Sequence, residues 1–528
     1  MLRVALVATP LGGPSAQVPP LGCMALGSFL LEELGNFIEC KVFNFIRDPQ
    51  RLLKEVSAFR ADIIGMPVYS GHVDEVIALA ARIKKRLPRV LLVAGGPHVT
   101  LTWFNFIGRW GTLFDYCVNG DGELPLLAIV QAKMSGDWSA CHVLPGIGRK
   151  TRLGIAQQGA AESLPAERWV NPFLCQVASD SEALYFTDRR DRKRRRAVAL
   201  VSSRSCPLRC SFCAIVAMPG KWRAAPVDAL MDWLRREWAF RPFEHVYFMD
   251  ANFFVSSKRV KEVAEQITLS LPDVTWSTSS TVGYFLKMEP DIPWLIEHGL
   301  RAIELGLEAG SAEQLAFLNK QATREQNALA VELIQRNRLE LGLDFIMFYP
   351  DQSLPGLVEN LDFIHDANLL DEEYSDHYYT ALELYPGTPL RALYETRRGA
   401  PFASDELPDI RDMFVSPIVK EIYRLFVLEY AERYRTRNES IVKAWRAEAA
   451  SLQGQHPRRA QMLRLASLRL HHLPYRLLHE LTQAPLELLV QMDIDDYWPW
   501  LPQMDLASST LFDWLARAPA LPPTVETV

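Results

Sequence analysis

Short apolar runs alternate with stretches of helical period through the first part of the chain. Residues 3–8, 41–45, 63–68, 90–94 and 116–118 read as short buried strands. Between the third and fourth lies 73–87, where Val73, Val76, Ile77 and Ala80 share one helical face. Lys84, Lys85 and Arg86 complement the dipole at its end, and Pro88 stops it. Strand–helix alternation predicts an α/β domain over 1–145: a doubly wound parallel sheet that binds ligands beyond its carboxyl ends. Periodicity fades over 146–196, which holds Pro165 and Pro172 and reads as a crossing linker.

The alternation resumes at 197, with strands expected at 197–204, 245–252, 275–280, 302–308, 343–348 and 378–384. The helix 227–238 sets Leu230, Trp233, Leu234 and Trp238 along one face. Thr323 and Gln326 read as a capping box opening a helix with Leu329, Ala330 and Leu333 inward. This second α/β unit runs over 197–395. The remainder, 396–528, is helical by period, with Ile418, Ile422, Leu425 and Phe426 on one face and the pattern continuing over 463–470.

A chain of 528 residues implies several domains, since single cores stop growing near ~250–300 residues. Apolar residues at 49% and charged residues at 23% fit a soluble globular protein. A net charge of -6 gives no support to a nucleic-acid partner, and the basic run 189–196 reads as a solvated linker. The uncharged stretch 4–31 is broken by Pro10, Gly12, Gly13, Pro14, Pro19 and Pro20, so no membrane span is expected there. The first ten residues read as a strand and not as a signal peptide. Eight cysteines, three of them clustered, fit a reducing cytoplasm. Cys23, Cys40, Cys117, Cys141 and Cys175 are scattered among apolar neighbours and read as buried thiols.

The clustered three are the chemistry. Cys206, Cys210 and Cys213 form C-x3-C-x2-C directly after the apolar run 197–201, with Pro207 after the first and Phe212 before the third. Three thiolates in one loop suit an iron–sulfur cluster with one iron left open to substrate. The competing reading is a zinc knuckle, but zinc wants four ligands and no further Cys or His pair follows at knuckle spacing.

This motif resembles the radical S-adenosylmethionine (SAM) superfamily. The resemblance implies a 4Fe–4S cluster on Cys206, Cys210 and Cys213, a SAM cofactor cleaved to a 5′-deoxyadenosyl radical, and an electron donor such as flavodoxin or ferredoxin. It also implies a partial (β/α)6 barrel with its site at the carboxyl ends of the strands. On the same resemblance, 248–252 (FMDAN) would hold the methionine amino group through main-chain carbonyls at Met249, Asp250 and Ala251. Thr278 and Ser280 would reach the cofactor from strand three, and Phe212 would flank it. Glu308 would accept the ribose hydroxyls, against the competing reading of an ion pair with Arg301 or Arg223. The ending 385–390 (YPGTPL) matches cobalamin-linked members. Strand five departs from the family with MFYPDQS (347–353), which puts Tyr349, a catalytic candidate, and Asp351 at the barrel mouth.

The first domain has glycine-rich loops at its expected strand ends: 19–22 (PPLG), 68–75 (VYSGHVDE), 95–100 (GGPHVT) and 119–123 (NGDGE). Glycine lets backbone approach a large flat ligand. Together the loops resemble the Rossmann-like cobalamin-binding domain that precedes many radical SAM enzymes. That implies cobalamin contacts from Tyr69, Ser70, Gly71, His72, Gly95, Gly96, Pro97, His98, Gly120, Gly122 and Glu123. The loop 9–22 lacks the histidine of the Asp-x-His-x-x-Gly pattern, so the lower face of the cobalt is expected to lack that ligand. Residues 69–72 would lie beneath it, with His72 either a ligand or a helix N-terminal residue.

The whole reading is a cobalamin-dependent radical SAM methyltransferase that moves a methyl group from methylcobalamin to an unactivated carbon of a small-molecule, natural-product or peptide substrate. Competing readings are a cobalamin-assisted cyclisation or ring contraction without methyl transfer, and a non-catalytic cobalamin or iron–sulfur sensor. His471, His472 and His479 lack companions for a metal set and read as surface or cap residues. The aromatic and acidic stretch 493–505 would either cap the barrel mouth or dock the helical part.

Overall fold

The computed structural model describes residues 1–9, 19–45, 48–179, 183–371, 376–403 and 407–498. Its first layer is a sheet of eight strands: β1 (Leu2–Val7), β2 (Ile38–Asn44), β3 (Ile63–Pro67), β4 (Leu91–Gly95), β5 (Tyr116–Val118), β6 (Ile147–Thr151), β7 (Gly154–Gln157) and β8 (Gln176–Ser179). Their order is β7-β6-β5-β4-β3-β1-β2-β8. The strands β5, β4, β3, β1, β2 and β8 run parallel, while β6 and β7 join antiparallel.

Side-chain alternation builds a core on each face. β1 sends Ala5 and Val7 into one with Val76, Ala80 and Phe106, and Val4 and Leu6 into the other with Leu30, Ile129 and Val130. The helix Val73–Arg86 has Asp74 and Glu75 in its first turn and three cations in its last, the arrangement its dipole favours. The scattered cysteines Cys23, Cys40, Cys117, Cys141 and Cys175 are all buried, as expected.

The stretch read as a linker is structured. β6 and β7 form a hairpin on one edge of the first sheet, and β8 pairs with β2 at the other. All three are short, and β7 and β8 are mostly exposed, so their hydrophobic alternation is too faint to read. The basic run is not a free linker either. Arg194–Arg196 open β10, and Arg195 pairs with Asp191 at 2.6 Å and Asp188 at 3.3 Å.

The second sheet contains β9 (Tyr185–Thr187), β10 (Arg194–Leu200), β13 (His245–Phe248), β14 (Thr275–Thr281), β15 (Leu300–Glu308) and β16 (Glu340–Phe345), with the separate small ribbon β11 (Ser203–Arg204) and β12 (Arg223–Ala224) falling between β10 and β13 in the chain. From β10 to β16 neighbours are parallel. The sixth barrel strand expected at 378–384 is reduced to one parallel bridge, Phe348 to Ala381, beside a 3-10 turn at Asp376–Tyr378. Thr380 takes over part of the pairing, accepting from the backbone N–H of Met347 and donating to Phe345 O.

The capping box at Thr323 and Gln326 forms as expected. Two face assignments do not hold: Trp238 and Leu329 are exposed, while Leu230, Trp233, Leu234, Ala330 and Leu333 are buried. Each of the two sits at the margin of its apolar stripe, where a small helix rotation turns it to solvent.

The C-terminal part is helical from Pro417 to Tyr497, including a wide-turned stretch at Arg424–Arg435. Within the acidic–aromatic stretch, Asp493 and Asp495 pair with Arg433 at 2.9 and 3.1 Å, and Trp498 donates to Glu480 at 2.8 Å. These contacts dock the helical part onto itself; residues 499–505 lie outside the described residues. His471 and His472 are buried and not superficial, with His472 bonded to Asp371 at 2.6 Å.

Candidate functional site

Two neighbouring sites come from the two sheets. At the carboxyl ends of the first, a cavity of about 380 Å³ opens between the starts of the helices that follow the strands. Tyr69, Gly95, Gly96, Pro97, Gly120, Gly122 and Glu123 all line it, as their positions after β3, β4 and β5 require. Ser70, Gly71, His72 and His98 do not. His98 is fully buried behind the loop, with its Nδ1 2.9 Å from Ser70 Oγ and its ring against Phe106. His72 takes the N-cap position of the helix Val73–Arg86, the second of the two roles expected for it. Burial pushes the Tyr69 hydroxyl up to about 12, so it stays protonated.

The glycines divide by purpose. Gly96 has φ of 91° and lies so close to Val68 that a Cβ would meet its backbone N and O at 3.1 Å. Around Gly22, by contrast, nothing lies within 4 Å of where a Cβ would stand, and it faces the cavity. A wide mouth edged by backbone and small side chains fits a large planar ligand such as a corrin.

The far wall of this cavity belongs to the second sheet's cysteine stretch: Val201, Arg204 and Met218. Arg204 donates to Glu123 Oε1 at 2.5 Å and lies 3.4 Å from Asp121, and Arg223 also bonds Asp121. Both guanidiniums lie over Trp169, at 4.5 and 5.8 Å from the ring centre. Glu123 Oε2 is buried with no partner among the described residues, a free acceptor beside the cavity. Composition could not single out Arg204, Asp121 and Trp169. The available signal was an acidic loop (119–123) facing an arginine two residues ahead of the first clustered cysteine.

The cysteine loop follows β10 and is stitched to the barrel mouth. Ser211 N donates to Leu318 O at 3.0 Å, Asn319 Nδ2 to Arg209 O at 2.7 Å, and Leu390 N to Ser211 O at 3.0 Å. Phe212 packs against the barrel core. Cys210 is buried and Cys206 and Cys213 half-buried. Burial pushes Cys210 up to about 11, with Lys320 pulling the other way and the other two thiols adding to the rise. Among the described residues no three His, Cys, Asp or Glu side chains converge as one ion demands. A single zinc ion needs its sulfurs about 2.3 Å from one point. Three thiols on one loop suit a cluster in which each cysteine holds its own iron.

At the end of β13, Asp250 is buried and accepts from Ser202 N at 2.6 Å and from Ser202 Oγ and Ser203 Oγ, each at 2.7 Å. Burial raises its pKa against those bonds. Its side chain therefore ties β13 to the start of the cysteine stretch, leaving Met249 and Ala251 nearer the surface. Thr278 Oγ1 donates to Phe248 O at 3.1 Å, and Ser280 Oγ to Thr281 O at 3.1 Å, so both hydroxyls brace strand ends.

Glu308 adopts a positive φ of 67° as β15 ends and pairs with Lys320 Nζ at 2.7 Å. Neither expected partner meets it: Arg301 pairs with Asp188 at 3.4 Å and Arg223 with Asp121. Burial alone would lower the Lys320 pKa; Glu308, with Cys210, outweighs it and holds the ammonium charged. Tyr349 is 2% exposed and packs on Phe317, so it does not stand open at the barrel mouth. Asp351 beside it is held by Arg397 at 2.6 Å and by Tyr394.

Comparison with known proteins matches a family to each of the two α/β units. Residues 13–130 match the B12 binding domain and residues 200–364 the radical SAM superfamily. An uncharacterized methyltransferase of Pyrococcus horikoshii is 26% identical over 70% of this chain and 77% of its own. The anaerobic magnesium-protoporphyrin IX monomethyl ester cyclase of Rubrivivax gelatinosus is 23% identical over 63% of this chain and 59% of its own. In fold, the cobalamin-dependent SAM radical enzyme OxsB, solved with aqua-cobalamin, covers 98% of this chain and 80% of its own with a TM-score of 0.69 at 17% identity. The radical SAM methyltransferase TsrM of Kitasatospora setae, solved with cobalamin and a [4Fe-4S] cluster, covers 76% of each chain with a TM-score of 0.57 at 18% identity. With a cobalamin domain ahead of a radical SAM domain, and with residues at both sites that fit a cobalamin, a 4Fe–4S cluster and SAM, the chain belongs to the cobalamin-dependent radical S-adenosylmethionine enzymes, with methyltransferases among its relatives.

Proposed function

We propose that the chain is a carbon methyltransferase acting on an unactivated carbon of a small-molecule, natural-product or peptide substrate. One observation carries the reading: the cavity at the first sheet's carboxyl ends has its far wall made by Val201, Arg204 and Met218 of the cysteine stretch. Ligands held in the two sites therefore share a wall, as hydrogen abstraction and methyl delivery on one carbon require. When bound, the cluster with SAM supplies a carbon-centred oxidant and cobalamin supplies the methyl group.

The chain's residues position and shield. Cys206, Cys210 and Cys213 hold the cluster, and the main chain at Met249 and Ala251 takes the amino-acid end of SAM. Glu308, set by Lys320, faces the ribose. The backbone at Gly95, Gly96, Gly120 and Gly122 borders the corrin, and the Arg204 bonds to Glu123 and Asp121 keep the two sites in register. A reductant such as flavodoxin or ferredoxin supplies the electron, and five buried, unbridged thiols suit a reducing cytoplasm.

The test feeds SAM carrying a deuterated methyl group to cells with and without the gene and follows carbon-bound label. Label that depends on the gene and disappears in Cys206→Ala supports the reading. Formation of 5′-deoxyadenosine by the purified enzyme, with no methyl label in any product, overturns it in favour of the second reading: a cobalamin-assisted cyclisation or rearrangement. The alignment with a cyclase along 63% of this chain favours that second reading specifically.

A further inference from the structure

Asn252, just beyond β13, is fully buried, and its side chain faces the first cysteine of the loop. Its Nδ2 lies 3.9 Å from Cys206 Sγ, within hydrogen-bond reach for sulfur, and 3.3 Å from Thr281 Oγ1 at the end of β14. Its Oδ1 is buried with no partner among the described residues. Both amide hydrogens are thus engaged and the carbonyl is left over. A flipped amide would set an oxygen acceptor against a thiolate, which only accepts, so the nitrogen belongs on the sulfur side.

An apolar residue would fill this position without an orphaned carbonyl, so an amide here needs a reason other than packing. Cys213 differs in kind. Cys213 accepts from the backbone N–H groups of Ile215 and Val216, whereas Cys206 has a side-chain donor. Hydrogen bonds to the sulfurs of an iron–sulfur cluster stabilise its reduced, more negative state and raise its potential.

We propose that Asn252 is a positioning residue that sets the reduction potential of the cluster through an N–H···S bond to Cys206, with Thr281 fixing the amide's orientation. The proposal rests on the cluster being held by Cys206, Cys210 and Cys213, and iron content separates failure of that reading from failure of this one. Full-length wild type, Asn252→Leu and Asn252→Asp are reconstituted anaerobically, assayed for iron and sulfide, and titrated under EPR without SAM. Asn252→Leu is expected to keep wild-type iron and to reduce at a more negative potential. Asn252→Asp should shift further negative at neutral pH, where a carboxylate faces the sulfur, and less so on acidification, where the protonated group can donate.

Wild-type iron with an unchanged or more positive potential in Asn252→Leu overturns the proposal. If Asn252→Leu holds no iron, the isosteric Asn252→Asp decides: an unchanged potential, or loss of iron there too, overturns it. Wild type that assembles no cluster, or Cys206→Ala that retains a wild-type one, overturns the assignment of the cysteines instead.

Discussion

Arg204, two residues before the first clustered cysteine, donates to Glu123 in the cavity loop of the first sheet at 2.5 Å. The bond crosses between the two sheets and pairs a buried carboxylate, Glu123 at 4% exposed, with a guanidinium that keeps some solvent. Asp121, Arg223 and Trp169 complete the joint. The faces that hold the two sites are thereby tied by charge and not by hydrophobic contact alone.

Removing Arg204 leaves Glu123 buried without its counter-charge. Arg204→Leu should lower unfolding stability by about 2 kcal/mol, less than a fully buried pair would lose because the arginine keeps some solvent. The same variant should retain cobalamin less tightly. Urea titration of the apoprotein reads the first effect and spectrophotometric cobalamin titration the second; Glu123→Gln, which keeps an acceptor, should lose less on both.

Lys320 and Glu308 are the more deeply buried pair, with side chains 4% and 10% exposed. Lys320→Met should cost about 3–5 kcal/mol, since it leaves a buried carboxylate uncompensated beside Asp344. Gly306→Ala should act on the same pair, because a Cβ there would stand 2.7 Å from both Glu308 Oε1 and Lys320 Nζ. Both variants should show a lower denaturation midpoint and weaker SAM binding by calorimetry.

His245 is fully buried between Thr275 Oγ1 at 2.8 Å and Ser277 Oγ at 2.9 Å. Burial, then the nearby Arg195 and Arg301, hold its pKa well below the ordinary value. The unfolded chain therefore binds this proton first, so stability is full above the unfolded value near ~6.5 and falls as pH drops below it. The slope should approach about 1.4 kcal/mol per pH unit for this one group. Urea midpoints at pH 7.5 and 5.5 read the difference, and His245→Gln should reduce it.

Asp250 has the opposite sign. Burial raises its folded pKa above the unfolded value despite bonds from Ser203 and Ser202. The folded state then holds the proton longer, so stability declines as pH rises from the unfolded value near ~3.9 toward the raised one. Asp250→Asn should abolish that slope. It should also lower stability at neutral pH by about 1–2 kcal/mol, because an amide cannot accept all three bonds made to the carboxylate.

Much of this was legible along the chain because the signals are local. Strands β1 to β5 read directly from their apolar runs, and the capping box from Thr323 and Gln326. The cysteine triplet carries its spacing in its own loop. The misreadings fall where exposure or curvature erases periodicity. β7 and β8 are edge strands with little alternation, β6 is short beside β7, and the sixth barrel strand shrinks to the Phe348–Ala381 bridge while Thr380 carries the pairing. His98 read as a cavity contact because it sits in a glycine-rich loop, yet its place in the helix Pro97–Trp110 turns it inward to Ser70.

What the sequence determined by itself is the inventory: two α/β units, three cysteines at cluster spacing, and glycines at strand ends, since periodicity and spacing act over a few residues. What only the tertiary structure decided is pairing at long range. It gave Glu308 to Lys320, Arg204 to Glu123, Asn252 to Cys206 and Asp250 to Ser202 and Ser203. A buried polar group must find its partner wherever packing brings one, and the chain between the partners carries no trace of that choice.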